Sequence, residues 1–105
     1  MKSKVDKRNE LEAASILYGM YQEQGDAKRV NRKSAEIQAI KAELKGNEAT
    51  VKSLLKNEND YVKLIAASIL FETNDEEAEV VLHALAQKRK LIGFEARMVL
   101  ENNKR

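Results

Sequence analysis

The chain contains no cysteine and no proline, and only four of its 105 residues are glycine and only five are aromatic. Without cysteine it can form neither a disulfide nor a thiolate metal site, which fits a reducing compartment. Proline and glycine are the residues that tight β-turns and long irregular loops most often contain, so few such turns and loops are expected. These absences argue against a disulfide-stapled fold and against a turn-rich β fold.

Long apolar runs are also missing, since no stretch approaches the ~20 residues that cross a bilayer. Residues 1–9 are charged and have no apolar segment behind them, so a secretory signal is not expected. The net charge of +2 is close to neutral and does not select a class of partner. We therefore predict a cytoplasmic protein with no contact to a membrane.

The residues that are present favour helices. The chain has 105 residues, of which 43% are apolar and 34% are charged, a balance typical of a folded domain. Strong helix formers such as alanine, leucine, glutamate and lysine dominate. The sequence predicts one all-α domain over 1–105, with an N-terminal helix pair at 6–46 and two further pairs at 47–102.

Six helices follow from apolar periodicity and from the polar breaks between them. Gly25-Asp26, Gly46-Asn47 and Asn74-Asp75 are such breaks, because glycine can end a helix and aspartate or asparagine can cap the next. The predicted helices cover approximately 6–24, 26–45, 48–56, 61–73, 75–90 and 93–102.

The third and fourth helices resemble the fifth and sixth when the sequence is shifted by 30 residues. Apolar positions coincide, and the pairs are Val51 with Val81, Leu55 with Leu85, Val62 with Ile92, Leu64 with Phe94, Ala66 with Ala96, Ile69 with Val99, and Leu70 with Leu100. The breaks at 57–60 and 87–90 coincide as well. Helix–turn–helix repeats of this period are typical of a short α-solenoid, and the shared positions are predicted core residues.

The segment Asn59-Asp60-Tyr61-Val62-Lys63-Leu64-Ile65-Ala66-Ala67 resembles the signature of HEAT repeats, with Lys63 where those repeats usually have arginine. The wider pattern resembles a small bacterial family known as domain of unknown function 2019. In that family a Tyr-Asn-Arg-like segment opens the second helix, matched here by Val30-Asn31-Arg32, and Leu54-Leu55 precede the Ala66-Ala67 segment at the family's spacing.

The resemblance implies a HEAT-like stack of helical hairpins and no enzymatic activity. Some relatives in that family look like immunity proteins that neutralise a toxin encoded beside them. The resemblance therefore adds a cognate toxin to the partners to be tested.

Few residues suggest chemistry. His83 is the one histidine, and a surface contact with Glu79, four residues earlier, explains it more simply than a catalytic or metal role. The acidic residues at 75–79 lie where they would stabilise the start of a helix. No set of serine, histidine and aspartate stands out as nucleophile, base and orienter. We therefore predict no catalytic residues, no metal and no cofactor.

Basic residues give the main alternative. Lys28, Arg29, Arg32 and Lys33 form a patch on the second helix, and 88–90 is a second basic cluster. Helical repeats can hold nucleic acid in a basic groove through its phosphates. However, Glu36 lies four residues after Arg32, Glu10 and Glu12 lie among the basic residues near the N-terminus, and aromatic residues for base stacking are scarce. A mixed, solvated face is therefore the simpler interpretation.

The first hypothesis is a non-enzymatic module that binds another protein, with a toxin as the sharpest version. The second is a nucleic-acid-binding protein that uses the basic patches. Exposed apolar residues, for which Leu64, Phe71 and Met98 are candidates, would indicate self-association. The charged residues predicted to contact a protein partner are Arg29, Arg32, Lys33, Lys63 and Glu95.

Overall fold

A computed structural model describes residues 3–102 of the chain. That part of the chain is all helical and contains no strand, as the sequence predicts. It contains six α-helices and one short 3₁₀ turn at Ser53–Lys56. The helices are α1 (Lys4–Gln24), α2 (Ala27–Glu43), α3 (Glu48–Lys52), α4 (Asp60–Phe71), α5 (Glu76–Ala86) and α6 (Leu91–Asn102).

Side-chain caps fix several of the helix starts. Asp26 accepts a hydrogen bond from the backbone N–H of Arg29, and Asp75 accepts one from that of Ala78. Asn59 caps α4, because its Oδ1 accepts hydrogen bonds from the backbone N–H groups of Tyr61 and Val62 at 2.9 and 3.1 Å. Gly25 ends α1 in the left-handed conformation, with φ of 71°. The breaks predicted at these positions are confirmed.

The boundary between α5 and α6 differs from the prediction. The basic residues 88–90 do not end α5, which stops at Ala86, but form the turn before α6. This turn folds closely over Gly93, where a Cβ would lie 1.8 Å from the carbonyl oxygen of Lys88. Arg97 also reaches back from α6 and donates a 2.7 Å hydrogen bond to the carbonyl of Ala86. The guanidinium thus satisfies a carbonyl at the end of α5.

Helix α4 lies at the centre of the fold. It packs against α1, α3, the 3₁₀ turn, α5 and α6. Ala66, Ala67 and Leu70 have no exposed surface, as expected for the most apolar helix of the chain. The core therefore forms around α4, which belongs to the second predicted helix pair and packs against helices of the other two pairs.

The absence of a side chain at Gly19 lets α1 approach α4 closely. A Cβ at Gly19 would lie 2.4 Å from the ring of Tyr61, so the ring occupies the space that any larger residue would fill. Tyr61 also meets Tyr18 edge to face, with ring centroids 6.0 Å apart. These contacts fix the N-terminal helix against the centre of the domain.

Helix α2 lies at the edge and packs mainly on α1. Its buried residues, Ile37 and Ile40, belong to its second half. Hydrogen bonds from Tyr18 and Gln22 of α1 to Glu95 of α6 join the first and third predicted helix pairs. The stacking of the three pairs as a solenoid, and their grouping at 6–46 and 47–102, stay predictions. No helix among residues 3–102 is both long enough and apolar enough to span a bilayer.

Candidate protein-interaction surface

The outer side of α6 carries exposed apolar side chains. Leu91, Phe94 and Met98 are 37%, 53% and 44% exposed, respectively. Their spacing of three and four residues places them along one face of the helix. The core side of the same helix holds Ile92 and Ala96, which are buried. Helix α6 is thus apolar on two sides, of which one is buried in the core and the other is partly exposed. We name Leu91, Phe94 and Met98 the α6 stripe.

The repeat relationship shows why this exposure is unusual. The residues 30 positions before Leu91 and Phe94 are Tyr61 and Leu64, which are both buried in α4. Tyr61 packs against Gly19 of α1, whereas no described helix covers Leu91 in the same way. The prediction that Phe94 is a core residue like Leu64 is therefore wrong.

A groove of about 380 Å³ runs beside the α6 stripe. It lies between α6, α4 and α1, and Leu64, Ile65 and Val99 contribute apolar surface to it. Tyr18 and Glu95 also line it. Together, the stripe and the groove form a continuous, mainly apolar surface with a polar group at its base.

That polar group is a hydrogen-bonded cluster around Glu95. Its Oε1 accepts hydrogen bonds from the Tyr18 hydroxyl at 2.5 Å and from Gln22 Nε2 at 3.0 Å. Burial, together with the neighbouring Glu95 carboxylate, raises the pKa of Tyr18 to about 12. Burial, and then the negative charges of Glu95 and Glu23, also raises the pKa of Tyr61. Both tyrosines therefore stay protonated and act as fixed donors.

The structure corrects the expected exposure of Glu95. The sequence predicts an exposed charge that contacts a partner. In the structure Glu95 is partly buried, and its Oε1 accepts hydrogen bonds from within the chain. Its second oxygen, Oε2, is buried and makes no hydrogen bond with the described residues. The sequence could not reveal this placement, because Tyr18 lies 77 residues away and neither residue belongs to a recognisable motif.

The other predicted partner residues lie on two different helices. Arg29 and Arg32 are exposed on α2, and Lys33 is partly buried there. Arg29 lies 3.4 Å from the Asp26 carboxylate and 5.7 Å from the centre of the Tyr21 ring. Lys33 pairs with Glu36 at 2.8 Å.

Lys63 is partly buried on α4. Glu95 lies on α6. The five predicted residues are therefore distributed over three helices.

The three apolar residues named as candidates for self-association differ in their exposure. Leu64 is buried and Phe71 is partly buried, whereas Met98 is exposed. Val80 is the most exposed large apolar residue described, but Glu76, Glu77 and His83 share its side of α5. An isolated apolar residue of this kind is common on protein surfaces, so the α6 stripe is the more informative feature.

A second groove, of about 330 Å³, lies where the end of α2 meets α3 and α4. Lys41 and Glu72 form an ion pair at this groove and join α2 to α4. None of the large apolar residues that the structure leaves exposed lines it. Over the described residues, no group of three or more histidine, cysteine, aspartate or glutamate residues could hold a metal ion.

Compared with known proteins, the chain matches no protein-family model, no curated protein and no solved structure. The resemblance to HEAT repeats and to the bacterial family stays a prediction from the motifs.

Proposed function

We propose that this chain is a non-enzymatic protein-interaction module that binds its partner through the α6 stripe and the adjoining groove. The observation that carries the proposal is the exposure of Leu91, Phe94 and Met98 along one face of a helix. Exposed apolar residues that adjoin one another on a small domain mark a contact surface. Burying the exposed half of Phe94 would contribute about 1 kcal/mol to such a contact.

The position of α1 on α4 supports a helical partner. Helix α1 covers Tyr61, and the residues of α6 at the equivalent places have no such cover. A partner helix with apolar side chains on one face would fill the same kind of position on α6. Arg97 and Glu101, which are exposed on α6, would give polar contacts at the rim.

Within this proposal Glu95 has a supporting role. Its hydrogen bonds to Tyr18 and Gln22 hold α6 against α1, and this fixes one wall of the groove. Arg29, Arg32, Lys33 and Lys63 remain predicted polar contacts for a partner that also reaches α2 or α4. We place the module in the cytoplasm, as its lack of cysteine suggests.

A structural role accounts for each perturbed titratable group, and this supports a non-enzymatic function. Tyr18 and Tyr61 bind carboxylates that join helices. The backbone N–H of Ala78 lowers the pKa of Asp75, which is the N-cap of α5. Lys7 pairs with Glu10 and Glu43, and its hydrogen bond with Glu43 raises its pKa.

Nucleic-acid binding has less support. Of the basic residues in the two patches, Arg29, Lys33 and Lys88 already pair with carboxylates of the chain, and Lys88 lies 3.3 Å from Asp60. Such pairs reduce the positive potential that would attract phosphates. We keep this function as an outcome of the test below.

The test is capture by the tagged protein from a lysate of its source cells, with washes of increasing salt. A variant with Phe94→Asp and Met98→Asp places charge on the α6 stripe, and Val80→Asp is the matched control on α5. We expect one protein to stay bound at high salt to the wild type and to the control, but not to the stripe variant. Identification of that protein as a toxin would support the immunity role.

Two results would contradict the proposal. One is protein capture that the stripe variant retains in full. The other is recovery of nucleic acid alone, released as salt rises, which would instead support the basic patches.

A further inference from the structure

We infer that a second copy of this chain binds the α6 stripe, with the two α6 helices antiparallel about a two-fold axis beside Phe94. This inference rests on the proposed function, because it names the occupant of the same surface. The observations that support it are the order of residues along α6, the charges at the ends of that helix, and the groove beside it.

The α6 stripe is self-complementary in an antiparallel pair. Leu91 begins α6 directly after the basic turn 88–90, and Met98 lies three residues before Glu101 near the end of the helix. A two-fold axis between residues 94 and 95 therefore pairs Leu91 with Met98 of the second copy. The same axis brings the basic turn that precedes α6, with Arg89 and Lys90, towards Glu101 of the second copy. Apolar residues meet in the middle and opposite charges meet at both ends, as an interface with identical halves requires.

The charges of α6 are reversed relative to those that stabilise a single helix. Acidic residues normally favour the first turn and basic residues the last, and α5 follows this rule with Glu76, Glu77 and Glu79 in its first turn. Helix α6 has no acidic residue in its first turn and follows the basic run 88–90 directly. Glu101 is exposed near its C-terminal end.

An antiparallel second copy compensates for this reversal. It brings Glu101 and the negative end of its own helix dipole to the basic run, and the basic run of the second copy to Glu101. Arg89 and Lys90 are exposed and form no ion pair with a residue that the structure describes. They are thus available for such a contact, whereas Lys88 is shared with Asp60.

The groove gives the second copy more apolar surface than α6 alone. Leu91, Phe94 and Met98 form one border of the groove, and Leu64, Ile65 and Val99 of the same chain extend it. In the antiparallel arrangement, Phe94 of the second copy lies next to this border. Twelve helical residues span only ~18 Å, so the interface is small and we expect a dissociation constant of about 10–100 µM.

The first experiment is sedimentation equilibrium of the full chain from about 5 to 500 µM, a range that brackets the expected constant. We expect the average mass to rise from monomer towards dimer. Phe94→Asp should keep the chain monomeric over the range, and Val80→Asp should dimerise like the wild type. Circular dichroism verifies that both variants stay helical.

Cysteine crosslinking tests the antiparallel register, since the natural chain has no thiol of its own. We expect a mixture of Leu91→Cys and Met98→Cys chains to form disulfide-linked dimers, under a mild oxidant, at least several times faster than either variant alone. Phe94→Cys should crosslink with itself, and Val80→Cys should not. Faster crosslinking of Leu91→Cys or Met98→Cys with itself would overturn the register.

The charge contact has its own test. Glu101→Lys should weaken the dimer by about three- to tenfold, as expected for a few exposed charge pairs. Combining it with Arg89→Glu and Lys90→Glu should restore most of the loss. No effect of Glu101→Lys would overturn the role of the helix ends.

Failure of this inference differs from failure of the proposed function. A wild-type chain that stays monomeric over the whole range, yet captures a different protein through Phe94, overturns the second copy and retains the interaction surface. A dimer that Phe94→Asp leaves intact overturns the inference, because another face must then form it. A monomer whose captures do not depend on Phe94 overturns both.

Discussion

The hydroxyl of Tyr18 on α1 donates a 2.5 Å hydrogen bond to Glu95 on α6, across 77 residues of sequence. Gln22, one turn further along α1, donates to the same carboxylate oxygen at 3.0 Å. The first and last helices of the described chain are thus connected by one partly buried acceptor. This connection also forms the base of the groove beside the α6 stripe.

Removal of the Tyr18 hydroxyl should destabilise the fold. Hydrogen bonds to a charged acceptor contribute about 1.5–3 kcal/mol, and Gln22 would retain part of the interaction, so we expect Tyr18→Phe to lower the free energy of unfolding by about 1–2 kcal/mol. Urea denaturation measures this. Tyr21→Phe is the control, because the contact described for Tyr21 involves its ring and not its hydroxyl. An equal loss in the two variants would contradict the role of the Glu95 bond.

The raised pKa of Tyr18 predicts a loss of stability in alkali. The folded state keeps the phenol protonated up to a pKa of about 12, while the unfolded chain ionises it near 10.0. Its contribution is therefore fully present below pH 10 and is lost as the pH rises towards 12. Urea midpoints measured over this range should fall less steeply for Tyr18→Phe than for the wild type. Parallel curves for the two proteins would be the contrary result.

Close packing of α1 on α4 makes Gly19 sensitive to any added atom. Alanine at this position would place Cβ 2.4 Å from the Tyr61 ring, and overpacking of this kind costs about 1–3 kcal/mol. Alanine is the better helix former by about 1 kcal/mol, so a net loss shows that the clash prevails. We expect Gly19→Ala to lower the thermal midpoint by several degrees. Met20→Ala, at the exposed neighbour, should change it little.

Asparagine caps at two helix starts allow a matched comparison. Asn59 accepts hydrogen bonds from two backbone N–H groups of α4, whereas Asn47 makes no side-chain bond at the start of α3. Replacement of Asn59 by alanine should therefore cost about 1 kcal/mol of unfolding free energy. Asn47→Ala should cost clearly less. Chemical denaturation of the two variants would show whether the bond or the residue type matters.

Local signals in the sequence explain most of the helix boundaries. Gly25 and Asp26 end one helix and cap the next through atoms a few residues apart, so the pattern alone predicts them. The turn between α5 and α6 depends instead on how closely the carbonyl of Lys88 approaches Gly93. A sequence does not show whether an isolated glycine begins a helix or is required because another part of the backbone packs closely against it. The start of α6 was therefore not predictable from periodicity.

The candidate surface was harder to predict than the fold. The predicted repeat pairs Phe94 with Leu64, but the two differ in exposure because α4 has helices on several sides and α6 has fewer neighbours. Apolarity in a sequence shows that a side chain favours burial, without showing whether the chain itself supplies the cover. Glu95 shows the opposite case: a charged residue that packing draws into the fold. Both depend on contacts between distant parts of the chain.

The edge position of α2 has a consequence for local unfolding. Its buried residues, Ile37 and Ile40, lie in its second half, whereas residues 27–36 contain no fully buried side chain. Segments with few buried contacts open at a lower free energy than the whole domain. Amide hydrogens of residues 30–36 should therefore exchange with solvent much faster than those of α4, which nuclear magnetic resonance can resolve residue by residue. Arg32 and Lys33 would then belong to the part of the helix that opens most readily, and any partner that binds them would protect those amides from exchange.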